Sequence, residues 1–220
     1  MTNRSSNMLS IIIVNYNTGE ILKECVDSLY SIENVNHLEL IIVDNNSPDN
    51  SRQIIEQLNS YHKNIKHIFL EDKISFSAAN NIGLEASSGH YILIMNPDII
   101  FTSPVFEKLE SLMDTNETGA CSPLLIGTDG EFQRIYFQRF PTILQFIFFY
   151  SIFSKIFMKS KYLINKYQYN CDIDIESGLI QFTEQIPCAF YFTTRDIFVD
   201  AGKMDPSFKL FFEDVDLSYR

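Results

Sequence analysis

Residues 9–14 (LSIIIV) form a nearly unbroken aliphatic run, the pattern of a strand covered on both faces. Behind it, residues 18–30 carry apolar side chains at Ile21, Leu22, Cys25, Val26 and Leu29, the spacing of an amphipathic helix. The two signals then alternate. Strand patterns at 38–43, 65–70 and 91–95 are separated by helical patterns at 49–61 and 77–86. Such alternation predicts right-handed crossovers and a largely parallel sheet with helices on both faces. Sheets of this kind bind ligands beyond the carboxyl ends of their strands. Three of the predicted strands end in polar clusters: Asn15-Tyr16-Asn17, Asp44-Asn45-Asn46-Ser47 and Asn96-Pro97-Asp98. Parallel neighbours would bring all three to one edge.

After Pro104 the alternation loosens. The pattern predicts a helix over 104–113, a strand over 120–126 and a turn at Thr128-Asp129-Gly130. Residues 132–171 differ from the rest: Arg134, Arg139, Lys155, Lys159, Lys161 and Lys166 occur there without any Asp or Glu. Within that block, 143–158 (ILQFIFFYSIFSKIFM) is densely apolar. It is too short and too interrupted, at Gln145, Ser151 and Lys155, to cross a bilayer. Two readings stay open: a helical hairpin packed on the sheet, or an interfacial pair of helices touching an anionic membrane. Strand-like stretches follow at 178–182 and 189–193. The chain ends at Arg220 in a helix with an acidic first turn, Glu213-Asp214.

Composition narrows the functions. A length of 220 residues with 45% hydrophobic and 20% charged residues suits one folded domain. The net charge of -11 argues against nucleic acid as a partner, because phosphate backbones select basic surfaces. Cys25, Cys121, Cys171 and Cys188 lack CxxC or zinc spacing, so reduced, buried thiols in a cytoplasmic protein are expected. The run at 9–14 is too short for a signal sequence.

Each chemical motif has an ordinary structural counterpart. Asp44 with Asn45, Asn46 and Ser47 offers acceptors to a base or ribose hydroxyl, or makes a turn and helix cap. Asp98 can reach a cation bridging two phosphates, since hard oxygen ligands suit Mg²⁺ or Mn²⁺; an Asx-Pro turn would read the same. Glu213-Asp214 can supply a general base or simply complement a helix dipole. The small residues of 76–84 permit close approach of a ligand or tight helix-sheet packing. No GxGxxG dinucleotide fingerprint is present.

Together and in order, VNYN, VDNNS, FSAANNIGL, ILIMNPD and FFEDVDLSYR resemble the family 2 glycosyltransferases. The likeness is greatest to the rhamnosyltransferase-like branch that builds bacterial O-antigen, capsule and cell-wall polysaccharides. The resemblance implies a GT-A fold, an α/β Rossmann-like three-layer sandwich with a mixed, mainly parallel central sheet. It implies one domain over 1–220, with a nucleotide-binding half at about 8–100 and an acceptor-side half at about 101–220. The basic aromatic segment at about 132–171 is then a helical insertion, and the chain is expected to be truncated at its C-terminus.

By the same resemblance Asn15, Tyr16, Asn17, Asp44, Asn46, Asn80, Asn81, Asn96 and Asp98 line the nucleotide-sugar site. Asp98 is the Mg²⁺ or Mn²⁺ ligand of a metal motif in which Asn96 replaces the first Asp. Asp214 is the catalytic base, with Glu213 beside it, and Cys188, Ala189 and Phe190 line the acceptor side, although the family usually has Gly where Cys188 stands. The implied reaction is inverting transfer from a dTDP-rhamnose or UDP-sugar donor to a saccharide or polyprenyl-pyrophosphate-linked acceptor. The implied location is cytoplasmic, with peripheral contact at the inner face of the membrane. Three alternatives stay open: a nucleotidyltransferase, a non-catalytic sugar-nucleotide-binding or scaffold subunit, and an inactive fragment.

Overall fold

Continuous burial of aliphatic runs gives the sheet its centre. The structure, a computed structural model, describes residues 8–115, 118–133, 139–144, 147, 154–157, 159–160, 162–163, 177–209 and 211–220. Strands β1 (Leu9–Asn15) and β2 (Leu38–Asp44) are buried along their whole length. β3 (Ile65–Phe69) is half-exposed, β4 (Tyr91–Met95) is buried throughout, and β5 is Phe190–Thr194. The order is β3-β2-β1-β4-β5, with β5 antiparallel to β4 and the other pairings parallel. The sheet is therefore mixed and mainly parallel.

The crossovers are the predicted helices: α1 (Gly19–Ile32), α2 (Ser51–Tyr61) and α3 (Phe76–Ala86). α3 lies very close to the sheet. A Cβ at Gly83 would sit 2.5 Å from Ile12 Cγ2 and 3.3 Å from Val43 Cγ2, so no larger residue fits there without moving a β-branched neighbour. α4 (Phe106–Met113) begins two residues later than the pattern predicted. Further along the chain come α5 (Ser154–Phe157), α6 (Arg195–Asp200) and α7 (Glu213–Tyr219).

The amino-terminal edge is fastened by one carboxylate. Buried Glu39 accepts from Ser10 Oγ at 2.7 Å and Ser88 Oγ at 2.9 Å, and pairs with Lys66 Nζ at 2.7 Å. Burial opposes its ionisation, but Lys66 and the serine donors outweigh burial and lower its pKa from 4.5 to about 2. The native state thus binds fewer protons than the unfolded chain, so this stability is present above pH 4.5 and lost as pH falls toward 2. Glu39→Gln should cost about 2–3 kcal/mol at pH 7. Urea denaturation should show that difference shrinking at pH 3.

The chain divides into two compact units, Met1–Pro123 with Cys188–Ser218 and Arg220, and Leu124–Pro187 with Tyr219. Two strand expectations fail. Over 120–126 there is a single bridge from Cys121 to Phe192 and another from Ile126 to Phe132, because Pro123 has no N–H to extend a ladder. Residues 178–182 form no strand: Gly178 is left-handed, and Leu179, Ile180 and Phe182 are exposed, so no face of an alternation is buried. In the second unit the turn at 128–130 forms, with Gly130 at φ 81°. Most of 143–158 and the residues Arg134, Lys161, Lys166 and Cys171 lie outside the described residues. Cys25, Cys121 and Cys188 are free and buried, as expected. No helix among the described residues is long and apolar enough to cross a membrane.

Candidate active site

Register brings the three polar clusters to one edge. Asn15 lies opposite Asp44, and Met95 lies opposite Ile13, so the Asn96-Pro97-Asp98 turn leaves the sheet beside the Asn15 cluster. Asn15 Nδ2 donates to Asp44 Oδ1 at 2.7 Å, and Ser47 donates to both Asp44 oxygens, through Oγ at 2.6 Å and N–H at 3.0 Å. Thr18 Oγ1 fixes Asn15 Oδ1 at 2.7 Å, and Asn17 N–H reaches Ser47 Oγ at 2.9 Å. Asp44 is therefore a carboxylate of fixed orientation, held by neutral donors. Asn17 and Asn46 turn the two loops outward with left-handed backbones (φ 57° and 60°), which Asn tolerates; both are exposed. Tyr16 is 37% exposed, with Lys73 Nζ 3.5 Å above its ring, a cation-π contact.

On the other side of β1, Asp98 is exposed. It stands near α1, where its charge adds to burial in pushing the Cys25 thiol up to about 12. No group of three or more His, Cys, Asp or Glu that could hold a metal exists among the described residues. One exposed carboxylate still fits Mg²⁺ or Mn²⁺, because such ions commonly keep waters and take one or two carboxylates plus substrate phosphates. The residues thus suit a cation shared with a bound diphosphate, not one caged by protein.

Two residues connect that turn to the acidic helix. Asn96 N–H donates to Ala189 O at 3.1 Å, while the backbone of neighbouring Cys188 lies close enough to the Asp214 carboxyl to favour its charged form. Val215 N–H reaches Asp214 Oδ1 at 2.9 Å. Burial outweighs these contacts and raises Asp214 above its ordinary pKa; burial, then Asp214, raise Glu213. Glu213 is 8% exposed, and its Oε2 has no partner among the described residues. Directly before it, Phe211 and Phe212 are both left-handed (φ 67° and 68°). Such strain costs about 1–3 kcal/mol per residue and clusters at functional sites.

Comparison with known proteins follows the same outline. The model of the family described as glycosyl transferase family 2 matches residues 10–176. The chain belongs to that family. Glycosyltransferase GlyG of Streptococcus pneumoniae is 31% identical over 104 residues, which is 47% of this chain and 34% of the relative. The match therefore spans about a third of that curated relative. Among solved structures, S. aureus TarS 1-349 in complex with UDP covers 96% of the chain and 54% of its own length, at TM-score 0.63 and 16% identity. The mannosyltransferase PcManGT of Pyrobaculum calidifontis, in complex with GDP-Man and Mn²⁺, covers 91% and 48%, at TM-score 0.59 and 13% identity. The fold of this family 2 chain is GT-A.

Other residues of the family 2 pattern sit deeper. Asn80 is buried: Nδ2 donates to Phe76 O at 3.0 Å, and Oδ1 has no partner among the described residues. Asn81 is bonded through both polar atoms to the backbone of Met204. Cys188, Ala189 and Phe190 are buried, and desolvation raises the Cys188 thiol well above its ordinary value. The first two meet the edge through backbone atoms. Asn45, read from the sequence as part of the polar cluster, instead exchanges two 2.9 Å bonds with the backbone of Ile74 and pins the loop before α3 to β2, a role the pattern did not show. The pattern missed Lys73 altogether. Neither carries a signal in local periodicity, because both partners are distant in sequence.

Proposed function

We propose that the chain is an inverting, metal-dependent glycosyltransferase that moves a sugar from a nucleotide-diphosphate donor, dTDP-rhamnose or a UDP-sugar, to a saccharide acceptor. The acceptor is lipid-linked, on a polyprenyl pyrophosphate, in the synthesis of a cell-surface polysaccharide such as O-antigen or capsule. The observation that carries the reading is the shared edge: Asn15, Asp44 and the Asn96 turn meet there, and the turn connects through Ala189 and Cys188 to Asp214.

In this reading Tyr16, Asn17, Asp44 and Asn46 hold the nucleoside, with Asn15 orienting Asp44. Asn80 shapes the donor side from α3, while Asn81 beside it is bonded to the backbone of Met204; Asp98, assisted by Asn96, would hold Mg²⁺ or Mn²⁺. The cation supplies charge neutralisation for the leaving group. Asp214 takes the proton of the acceptor hydroxyl as that oxygen bonds to the anomeric carbon and the bond to the diphosphate breaks. Glu213 steadies the acceptor beside it, and Cys188, Ala189 and Phe190 support the acceptor side. A single displacement inverts the anomeric centre. Thermal shift with UDP-, dTDP- and GDP-sugars, each with and without Mn²⁺, tests the donor. A cation-dependent rise in Tm with one nucleotide class is expected through ligand linkage; no rise with any of them would contradict the reading.

The second unit supports membrane contact at the inner face of a cytoplasmic membrane. Ile143, Leu144, Ile147, Leu179, Ile180 and Phe182 are exposed there, and Lys155 and Lys159 are exposed too. Exposed apolar side chains together with exposed lysines suit an anionic bilayer surface. Co-sedimentation with anionic vesicles should be lost in Lys155→Glu/Lys159→Glu; pelleting unchanged by that change, or absent in the wild type, would reject it.

A further inference from the structure

We propose that Asn81 is a positioning residue that holds helix α7, and with it Asp214, in register with the donor side; this rests on the reading of Asp214 as the base. The Asn81 carboxamide grips one backbone unit. Nδ2 donates to Met204 O at 2.7 Å, and Oδ1 accepts from Met204 N–H at 3.2 Å, the two-bond exchange of a strand pair made by a side chain. Met204 is buried at 1% exposure, so the gripped segment is anchored by its own side chain.

The same segment is fastened to α3 at two further points. Ser75 Oγ, at the α3 N-cap, donates to Pro206 O at 3.1 Å, and Lys203 Nζ pairs with Glu85. The first is a single exposed hydrogen bond and the second a surface ion pair, which contributes little. Asn81 is the two-point contact of the three.

From its other side the segment is held by α7. Arg220 donates to Ala201 O and to Lys203 O, and pairs with Asp216 one turn back on α7 at 2.7 Å. Gly202 and Lys203 are both left-handed (φ 87° and 63°), a backbone that is costly for Lys and is sustained only by surrounding contacts. Residues 201–206 thus form a splint between α3 and the helix that begins Glu213-Asp214. Loosening its α3 side frees α7 to shift relative to β4 and β1, where the donor cluster lies. A shift of about 1 Å from a change remote from the chemistry can cost up to about 10²-fold in rate.

Asn81→Asp tests this, because it keeps an acceptor for Met204 N–H and sets a carboxylate against Met204 O. Between about tenfold and 10²-fold loss of kcat is expected, with donor Kd unchanged within about twofold. Hydrogen exchange of the α7 amides should quicken about fivefold or more, the factor of one net hydrogen bond, while β1 amides stay protected. Asn81→Ala gives the same result without a new charge, should Asn81→Asp not fold. A donor Kd weakened in step with kcat, with α7 exchange unchanged, would make Asn81 a donor ligand and overturn the proposal. So would unchanged kcat and exchange. The exchange arm needs no turnover, so absence of transfer in the wild type would count against the proposed function and leave this coupling separately measured.

Discussion

Asp214→Asn is expected to lower kcat by at least about 10²-fold, within the range of general base catalysis, while leaving donor affinity nearly unchanged. The carboxylate is oriented by Val215 N–H at 2.9 Å, and the backbone of Cys188 lies beside it. Burial raises its pKa above the ordinary 3.8, which strengthens it as a proton acceptor. The base works deprotonated, so the acid limb of the kcat profile should lie above pH 3.8 and activity should rise with pH through it. The stability sign is opposite. A raised carboxylate pKa means that the native state binds a proton more tightly than the unfolded chain, so its charge costs stability at neutral pH. Asn removes that charge, and Tm at pH 7 should not fall. Calorimetry beside steady-state kinetics separates the roles: a lowered Tm with near-normal kcat would make Asp214 structural.

Asp98→Ala is expected to reduce kcat/KM by at least about 10²-fold, since a cation on a departing diphosphate supplies several kcal/mol. The side chain is exposed, so stability should change by no more than about 0.5 kcal/mol. Asn96 offers no charge, and no third metal-binding group is gathered beside Asp98 among the described residues. Loss of this one carboxylate should therefore move the Mn²⁺ activation curve to much higher concentration. Titration of Mn²⁺ against initial rate measures it. A variant with the wild-type curve would remove Asp98 from the metal role.

The sheet was legible because its signal is local. Runs such as 38–43 and 91–95 are buried on both faces, and a parallel register follows from the alternation with α1, α2 and α3. The meeting of Asn15, Asp44 and Asn96 on one edge is a consequence of that topology. What escaped is made by partners far apart in sequence. Lys73 over Tyr16, Asn45 with Ile74 and Asn81 with Met204 leave no periodic trace. The left-handed pair Phe211-Phe212 was equally hidden, since aromatic residues carry no turn signature and only the surrounding fold imposes that backbone. Pro123 and Gly178 did carry signals against strands, and the apolar residues around them outweighed those signals in the pattern.

The most direct test of the account is release of nucleoside diphosphate from the donor that binds, measured with Mn²⁺ and a saccharide acceptor for the wild type and Asp214→Asn. The account predicts acceptor-dependent release by the wild type, and a variant that binds the same donor yet releases at most about one hundredth as much. Equal release by the two proteins, or donor binding with no release by the wild type, would contradict it.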